Sequence, residues 1–199
     1  MQRKVIYGVV GILAVVLLIW ATAFAQPYTL HGSEITNGVT APTVTLTRMD
    51  GSIFSIEEQM GKIVLLFFGY TSCPDVCPTT LADMKRVKAD LGDRVDQVEF
   101  VFITVDPLRD SPERVQAYAS GFDLQFIGLS GAESDLTPVW QDYGVFRQVQ
   151  ESTSAAGYLV DHSSRLYLID TANHLRVTYP YGTPVEDLAA DIRFLLKEN

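Results

Sequence analysis

Two continuous apolar runs frame the chain. Ile63–Phe68 (IVLLFF) and Val98–Val105 (VEFVFITV) carry almost no polar residue, the pattern of strands buried on both faces. Between them Leu81, Met84, Val87 and Leu91 recur three and four apart within Thr79 to Leu91. That spacing predicts an amphipathic helix stopped by Gly92. Ser111-Pro112-Glu113 predicts a second helix start, with serine as cap and proline in the first turn. Phe126–Leu129 reads as a short strand and Leu136 to Tyr143 as a short helix. Tyr158–Val160, Arg165–Ile169 and Leu175–Tyr179 read as strands. Thr183-Pro184-Val185-Glu186 reads as a capping box opening a last helix, with Val185, Leu188, Ile192, Leu195 and Leu196 inward. Upstream, Thr43–Thr47 and Ile53–Ser55 flank Asp50-Gly51, a hairpin signal. Buried strands alternating with helices require a sheet covered on both faces. The expected class is α/β, three layers in the order α/β/α, with an N-terminal β-hairpin, no internal repeat and no second domain.

The first 25 residues follow another pattern. Met1-Gln2-Arg3-Lys4 is a basic head, and Val5 to Ala25 runs uncharged for 21 residues. A bilayer span takes about 20 apolar residues, whereas a signal-peptide core has about 7–15. Length therefore predicts a single N-terminal transmembrane helix. Ala23-Phe24-Ala25 resembles a cleavage site and keeps a removable signal open. Arg3 and Lys4 keep the head cytoplasmic. The expected location is thus the inner membrane of a bacterium, single-pass, with the globular part on the periplasmic or extracytoplasmic side. The expected organisation is 1–25 anchor or signal, 26–40 spacer, and 41–199 one domain.

The chain is acidic, with a formal net charge of −9. Such a surface repels phosphate backbones, and no basic run with interleaved aromatics is present, so nucleic acid is not an expected partner. With two cysteines and three histidines among 199 residues, metal or redox chemistry has few candidate groups.

Cys73-Pro74-Asp75-Val76-Cys77-Pro78 lies directly after the first buried strand, at a helix start. Sites in α/β sheets gather at carboxyl ends of strands. A helix N-terminus offers partial positive charge and free amides, which favour thiolate. A spacing of four puts both sulfurs on one side of the turn. The pair can close as a disulfide or open as two ligands. A purely structural bridge is the plainer alternative, though a loop this small constrains the unfolded chain little. Two thiolates hold Cu(I), and an added imidazole makes a site that suits both copper oxidation states. His31 falls in the spacer and His174 in a turn, both expected in solvent. His162 precedes a core strand, where a lone histidine is more often structural than a ligand. Asp161 beside it should point the other way in extended chain. Asp106, after the second buried strand, lands beside the cysteines if the two strands are parallel neighbours; shaping the turn with Pro107 is its alternative role. Arg109 and Asp110 could simply pair with each other on the loop, where such a pair contributes little.

The stretch Gly69-Tyr70-Thr71-Ser72-Cys73-Pro74-Asp75-Val76-Cys77-Pro78-Thr79-Thr80-Leu81 resembles the signature of Sco/SenC copper proteins. Val105-Asp106-Pro107-Leu108-Arg109-Asp110-Ser111-Pro112 and Tyr158-Leu159-Val160-Asp161-His162-Ser163 agree with it in order. The resemblance implies a thioredoxin-like fold with a membrane anchor. It implies a copper ion held by Cys73, Cys77 and His162, a redox-active Cys73–Cys77 pair, and Asp106 as a carboxylate near the site. The implied role is maturation of the CuA site of cytochrome c oxidase, by delivering copper, reducing target thiols, or both. The implied partner is the CuA-bearing subunit or another copper carrier. Ser72 departs from the bulkier residue common in the family, and Asn173 from the usual glycine after Asp170. The spacing C-x-x-x-C instead of C-x-x-C, and the lack of a proline just before Arg165–Ile169, weigh against a general disulfide reductase. A membrane-tethered thiol–disulfide oxidoreductase, with Cys73 attacking and Cys77 resolving, is the main alternative. A peroxidase relying on Arg109 and a copper or redox sensor are further ones.

Overall fold

The computed structural model of the protein describes residues 7, 11–17, 20, 28–151 and 157–198. The two apolar runs become β4 (Ile63–Gly69) and β5 (Val98–Thr104), the centre of a six-stranded sheet. Every residue of β4 is buried. The strand order is β1 (Ser33–Thr40), β10 (His174–Tyr179), β9 (Leu166–Ile169), β4, β5 and β6 (Ile127–Leu129). β4 runs parallel to β5 and antiparallel to β9. The register pairs Gly69 with Thr104, so the chain leaves both strands at the same level and the two following loops meet.

Helix α1 (Val76–Leu91) connects β4 to β5, α2 (Pro112–Ser120) connects β5 to β6, and α3 (Glu133–Asp142) follows β6. The last helix, α4 (Val185–Leu195), packs against α1. The Ser111 hydroxyl accepts the Arg114 amide and caps α2 as expected. The capping box of α4 does not form: Pro184 is the N-cap, and the Thr183 hydroxyl turns back to donate to the Pro180 carbonyl. The hairpin around Asp50-Gly51 appears as β2 (Thr45–Thr47) paired with β3 (Ile53–Ser55). A further hairpin, β7 (Arg147–Gln150) with β8 (Leu159–His162), stands apart from the main sheet. Asn173 takes φ 62° in the β9–β10 turn, a conformation asparagine tolerates.

The expectation of a transmembrane helix is corrected. Among the described residues no helix is long and apolar enough to cross a membrane. The described helical residues 11–17 span about 10 Å at the α-helical rise, a third of a hydrocarbon core roughly 30 Å thick. Apart from Tyr7 and Trp20, the remainder of the expected anchor lies outside the described residues.

Part of the expected spacer is sheet. Ser33–Thr40 forms the edge strand β1 on β10, with a register shift between Glu34 and Val39. Just before it, the chain is fastened to α4. Asp191, with no exposed surface, accepts the Tyr28 hydroxyl at 2.6 Å, the His31 amide at 2.8 Å and the Tyr179 hydroxyl at 2.7 Å. The His31 Nδ1 lies 2.6 Å from the same carboxylate, and Tyr28 stacks on Phe194. His31, expected in solvent, therefore holds one end of a strap.

The hydrogen bond to Asp191 raises the His31 pKa above its usual 6.5. The folded protein then binds the His31 proton more tightly than the unfolded chain does. This contribution to stability is fully present below 6.5 and is lost as pH rises through the raised folded value. Urea midpoints of wild type and His31→Gln should differ most on the acid side of 6.5 and converge in alkaline buffer. A pH-independent difference would assign His31 a packing role only.

Candidate metal centre

The loop after β4 carries the cysteine motif to the start of α1. Tyr70 and Cys73 close a turn, with the Cys73 amide donating to the Tyr70 carbonyl at 3.2 Å. The Cys77 amide donates to Cys73 Sγ at 3.4 Å, so an unpaired N–H of the first helical turn faces the sulfur. Cys77 is wholly buried, Cys73 is half-buried, and both are free thiols. A β-carbon on Gly69 would stand 2.8 Å from Cys77 Sγ; only glycine at the end of β4 leaves room for that sulfur.

The β7–β8 hairpin brings His162 to the same place from 85 positions away, with its Nε2 3.7 Å from Cys77 Sγ. Nδ1 of His162 lies 3.0 Å from the Ser163 carbonyl. A carbonyl only accepts, so Nδ1 carries the hydrogen and Nε2 of the neutral ring presents its lone pair to the sulfurs. The imidazole is held edge-on by Phe67 and Tyr70, at centroid distances of 6.3 and 5.8 Å.

The two sulfurs are not equivalent. A hydrogen bond from the Cys77 thiol, aided by the amides of Asp75 and Cys77, holds the Cys73 thiol down to about 3, against the opposing effect of burial. Cys77 is pushed far upward by that same bond and by burial. Cys73 is thus the thiolate, with the Cys77 proton lying between the sulfurs. Among the described residues no three His, Cys, Asp or Glu donors are already closed into a cage.

The donor set nevertheless fits a soft metal ion. It offers two sulfurs and a lone-pair nitrogen, with no carboxylate among the three. Bonds of about 2.3 Å to sulfur and about 2.0 Å to nitrogen, at a trigonal angle, put the two atoms about 3.7 Å apart, which the Cys77–His162 separation matches. An open groove of ≈ 230 Å³ leads to the site, lined by Tyr70, Cys73, Pro74, Asp75, Leu159 and His162 among others.

Two buried carboxylates brace the loops. Asp106 accepts the Tyr158 hydroxyl at 2.6 Å and the Arg109 Nε at 2.5 Å. Arg109 also donates to the Tyr158 carbonyl at 2.9 Å, its guanidinium 3.6 Å from the Tyr158 ring centroid. Asp106 therefore fixes the chain entering β8. Asp110 does not pair with Arg109: it turns inside and accepts the Thr71 amide and hydroxyl and the Thr104 hydroxyl, at 2.9, 2.5 and 2.8 Å. It fixes the cysteine loop. Asp161 is exposed, accepts from Gln150 and lines the outer groove, and His174 lies on the β9–β10 turn beside Asp170. Sequence reasoning did not find Tyr70, Asp110 or Gly69. Only Gly69 carried a usable signal, a glycine ending a buried strand.

The SCO1/SenC family profile matches residues 34–197. The chain belongs to the SCO1/SenC family. It is 38% identical over 143 residues to a SCO2-like protein of Rickettsia felis, covering 71% of this chain and 70% of that one. Among solved structures, the apo Sco1 protein of Thermus thermophilus superposes with a TM-score of 0.76 at 33% identity, over 86% of this chain and all of that one. ScoI of Bradyrhizobium japonicum, solved with copper bound, gives 0.72 at 34% identity over 79% of this chain and 100% of that one. These neighbours bear out the thioredoxin-like α/β fold.

Proposed function

We propose that this SCO1/SenC protein carries copper as cargo, held by Cys73, Cys77 and His162, and takes part in maturing the CuA site of cytochrome c oxidase. The observation that carries this reading is the convergence of two sulfurs and one lone-pair nitrogen from segments 85 residues apart. The copper held by the Bradyrhizobium relative supports the choice of metal. The Cys77 proton leaves on uptake, and His162, fixed by its Nδ1–H bond, has no proton on Nε2 to lose. Delivery is ligand exchange with partner thiolates reaching through the groove, where Cys73 is the accessible sulfur. Closing Cys73 and Cys77 into a disulfide removes both sulfurs from the donor set, so oxidation empties the carrier.

A second reading is favoured by the inequality of the cysteines. An acidified, accessible Cys73 in front of a buried Cys77 suits a thiol–disulfide oxidoreductase. The Cys73 thiolate attacks a partner disulfide and expels one partner thiolate, which takes up a proton. Cys77, giving up its proton, then attacks Cys73 Sγ and frees the second partner thiol. Two electrons pass to the partner and the pair ends as a disulfide.

Anaerobic titration of Cu(I) into the reduced and the oxidised protein tests the carrier reading. About one equivalent should bind to the reduced form and none to the oxidised form. Equal uptake by both forms, or no uptake by either, would remove copper from the account.

A further inference from the structure

Tyr70 stands between β4 and the cysteine motif and is 3% exposed. Its backbone carbonyl receives the Cys73 amide, its ring meets the His162 imidazole edge-on, and the Arg109 guanidinium lies 5.7 Å from its centroid. Its hydroxyl oxygen accepts the Val160 amide at 3.4 Å. Val160 belongs to β8, the strand that ends at His162. A buried hydroxyl that already accepts one bond still has a hydrogen to place. Cys73, whose amide the Tyr70 carbonyl receives, lines the same groove.

We propose that Tyr70 is a positioning and tuning residue of this centre: its hydroxyl donates to Cys73 Sγ while accepting from the Val160 amide, tying the histidine-bearing strand to the sulfur. Burial raises the Tyr70 pKa first, then the charge of Cys73 and Cys77, and least of all a hydrogen bond to Cys73. Two effects follow. Donation to a thiolate stabilises the reduced pair, since a disulfide sulfur is a much weaker acceptor. It also withdraws electron density from a sulfur bound to copper, as hydrogen bonds around a cysteine ligand do. Only the second effect rests on the copper-carrier reading.

Tyr70→Phe removes the hydroxyl and keeps the ring against His162 and Arg109. The apoprotein, equilibrated anaerobically with dithiothreitol, reports the first effect. Each Cys73–Cys77 disulfide reduced to two thiols closes one dithiothreitol into its cyclic disulfide, with two electrons and two hydrogens exchanged. Thiols are counted by alkylation and mass. The variant should need about tenfold more dithiothreitol to reach half reduction, the size of a hydrogen bond to a charged group. Tyr143→Phe, which removes a hydroxyl donated to the Pro42 carbonyl in another part of the core, should stay within about twofold of wild type on the same reasoning. An unchanged equilibrium in Tyr70→Phe, or an equal shift in Tyr143→Phe, overturns the inference. In Cu(II)-loaded protein, the sulfur-to-copper absorption of Tyr70→Phe should move to longer wavelength; an unmoved band also overturns it. If wild type takes up no copper, the carrier reading fails on its own, and the dithiothreitol equilibrium still decides the role of Tyr70.

Discussion

His162→Ala should lose copper affinity by about 100-fold or more, beyond the upper end of what the loss of an outer-sphere partner costs a metal site, while keeping a reactive Cys73. The ring supplies the only nitrogen donor at the sulfurs among the described residues, presented by the Nδ1–H bond to Ser163. Its removal leaves two thiolates, which still hold Cu(I) but hold it less well. Cys73 retains the first cause of its acidity, the hydrogen bond from Cys77. Iodoacetamide should therefore still alkylate it readily at neutral pH. His162 is half-buried beside the open groove, so truncation should cost only about 1 kcal/mol of stability. Competition with a Cu(I) chelator, run beside the alkylation rate, separates the two readings. Wild-type copper affinity in the variant would remove the histidine from the site. Loss of thiol reactivity together with copper would mean that the ring serves the cysteines more than the metal.

Gly69→Ala should damage both fold and site. The added β-carbon would stand 2.8 Å from Cys77 Sγ, 2.8 Å from the Phe102 ring and 3.0 Å from the Phe67 ring. All three neighbours are essentially unexposed, and a packed interior does not yield without cost. Overpacking of this kind costs about 1–3 kcal/mol. The neighbour nearest the helix start is the sulfur itself, so relief moves Cys77 relative to His162. Copper affinity should then fall by about tenfold or more, as for a disturbed outer sphere, even in the fraction that remains folded. Urea unfolding and chelator competition on the same preparation measure both. Wild-type values in both would show that Cys77 does not rest against Gly69.

The parts of the fold that were legible are those whose burial is two-sided. IVLLFF and VEFVFITV could be read as central strands because no position in them faces water, and their parallel pairing followed from the helix between them. β1 and β7 were missed for the opposite reason. Each is an edge strand of mostly exposed or polar positions, and such strands leave no apolar run or clean alternation in the sequence. The N-terminal run was read from length alone, and the expected membrane-crossing helix is not found among the described residues.

At the centre, the spacing of four between the cysteines could be read directly, but His162 is tied to them only through the β7–β8 hairpin. Apart from the family resemblance, nothing in the sequence sets it above an ordinary core histidine. Asp106 was placed by the parallel β4–β5 register. Its bonds to Arg109 and Tyr158 were not foreseen, because they depend on side chains folding back across a loop. Asp110 was read as a surface partner of Arg109, since a carboxylate in a loop gives no sign in sequence that it is inside.

The most direct test of the centre is copper X-ray absorption on the reduced protein loaded with one equivalent of Cu(I), for wild type and His162→Ala. Wild type should show two sulfur scatterers and one imidazole nitrogen, and the variant should lose the imidazole signature. A first shell without sulfur, or an imidazole that persists in His162→Ala, would contradict it.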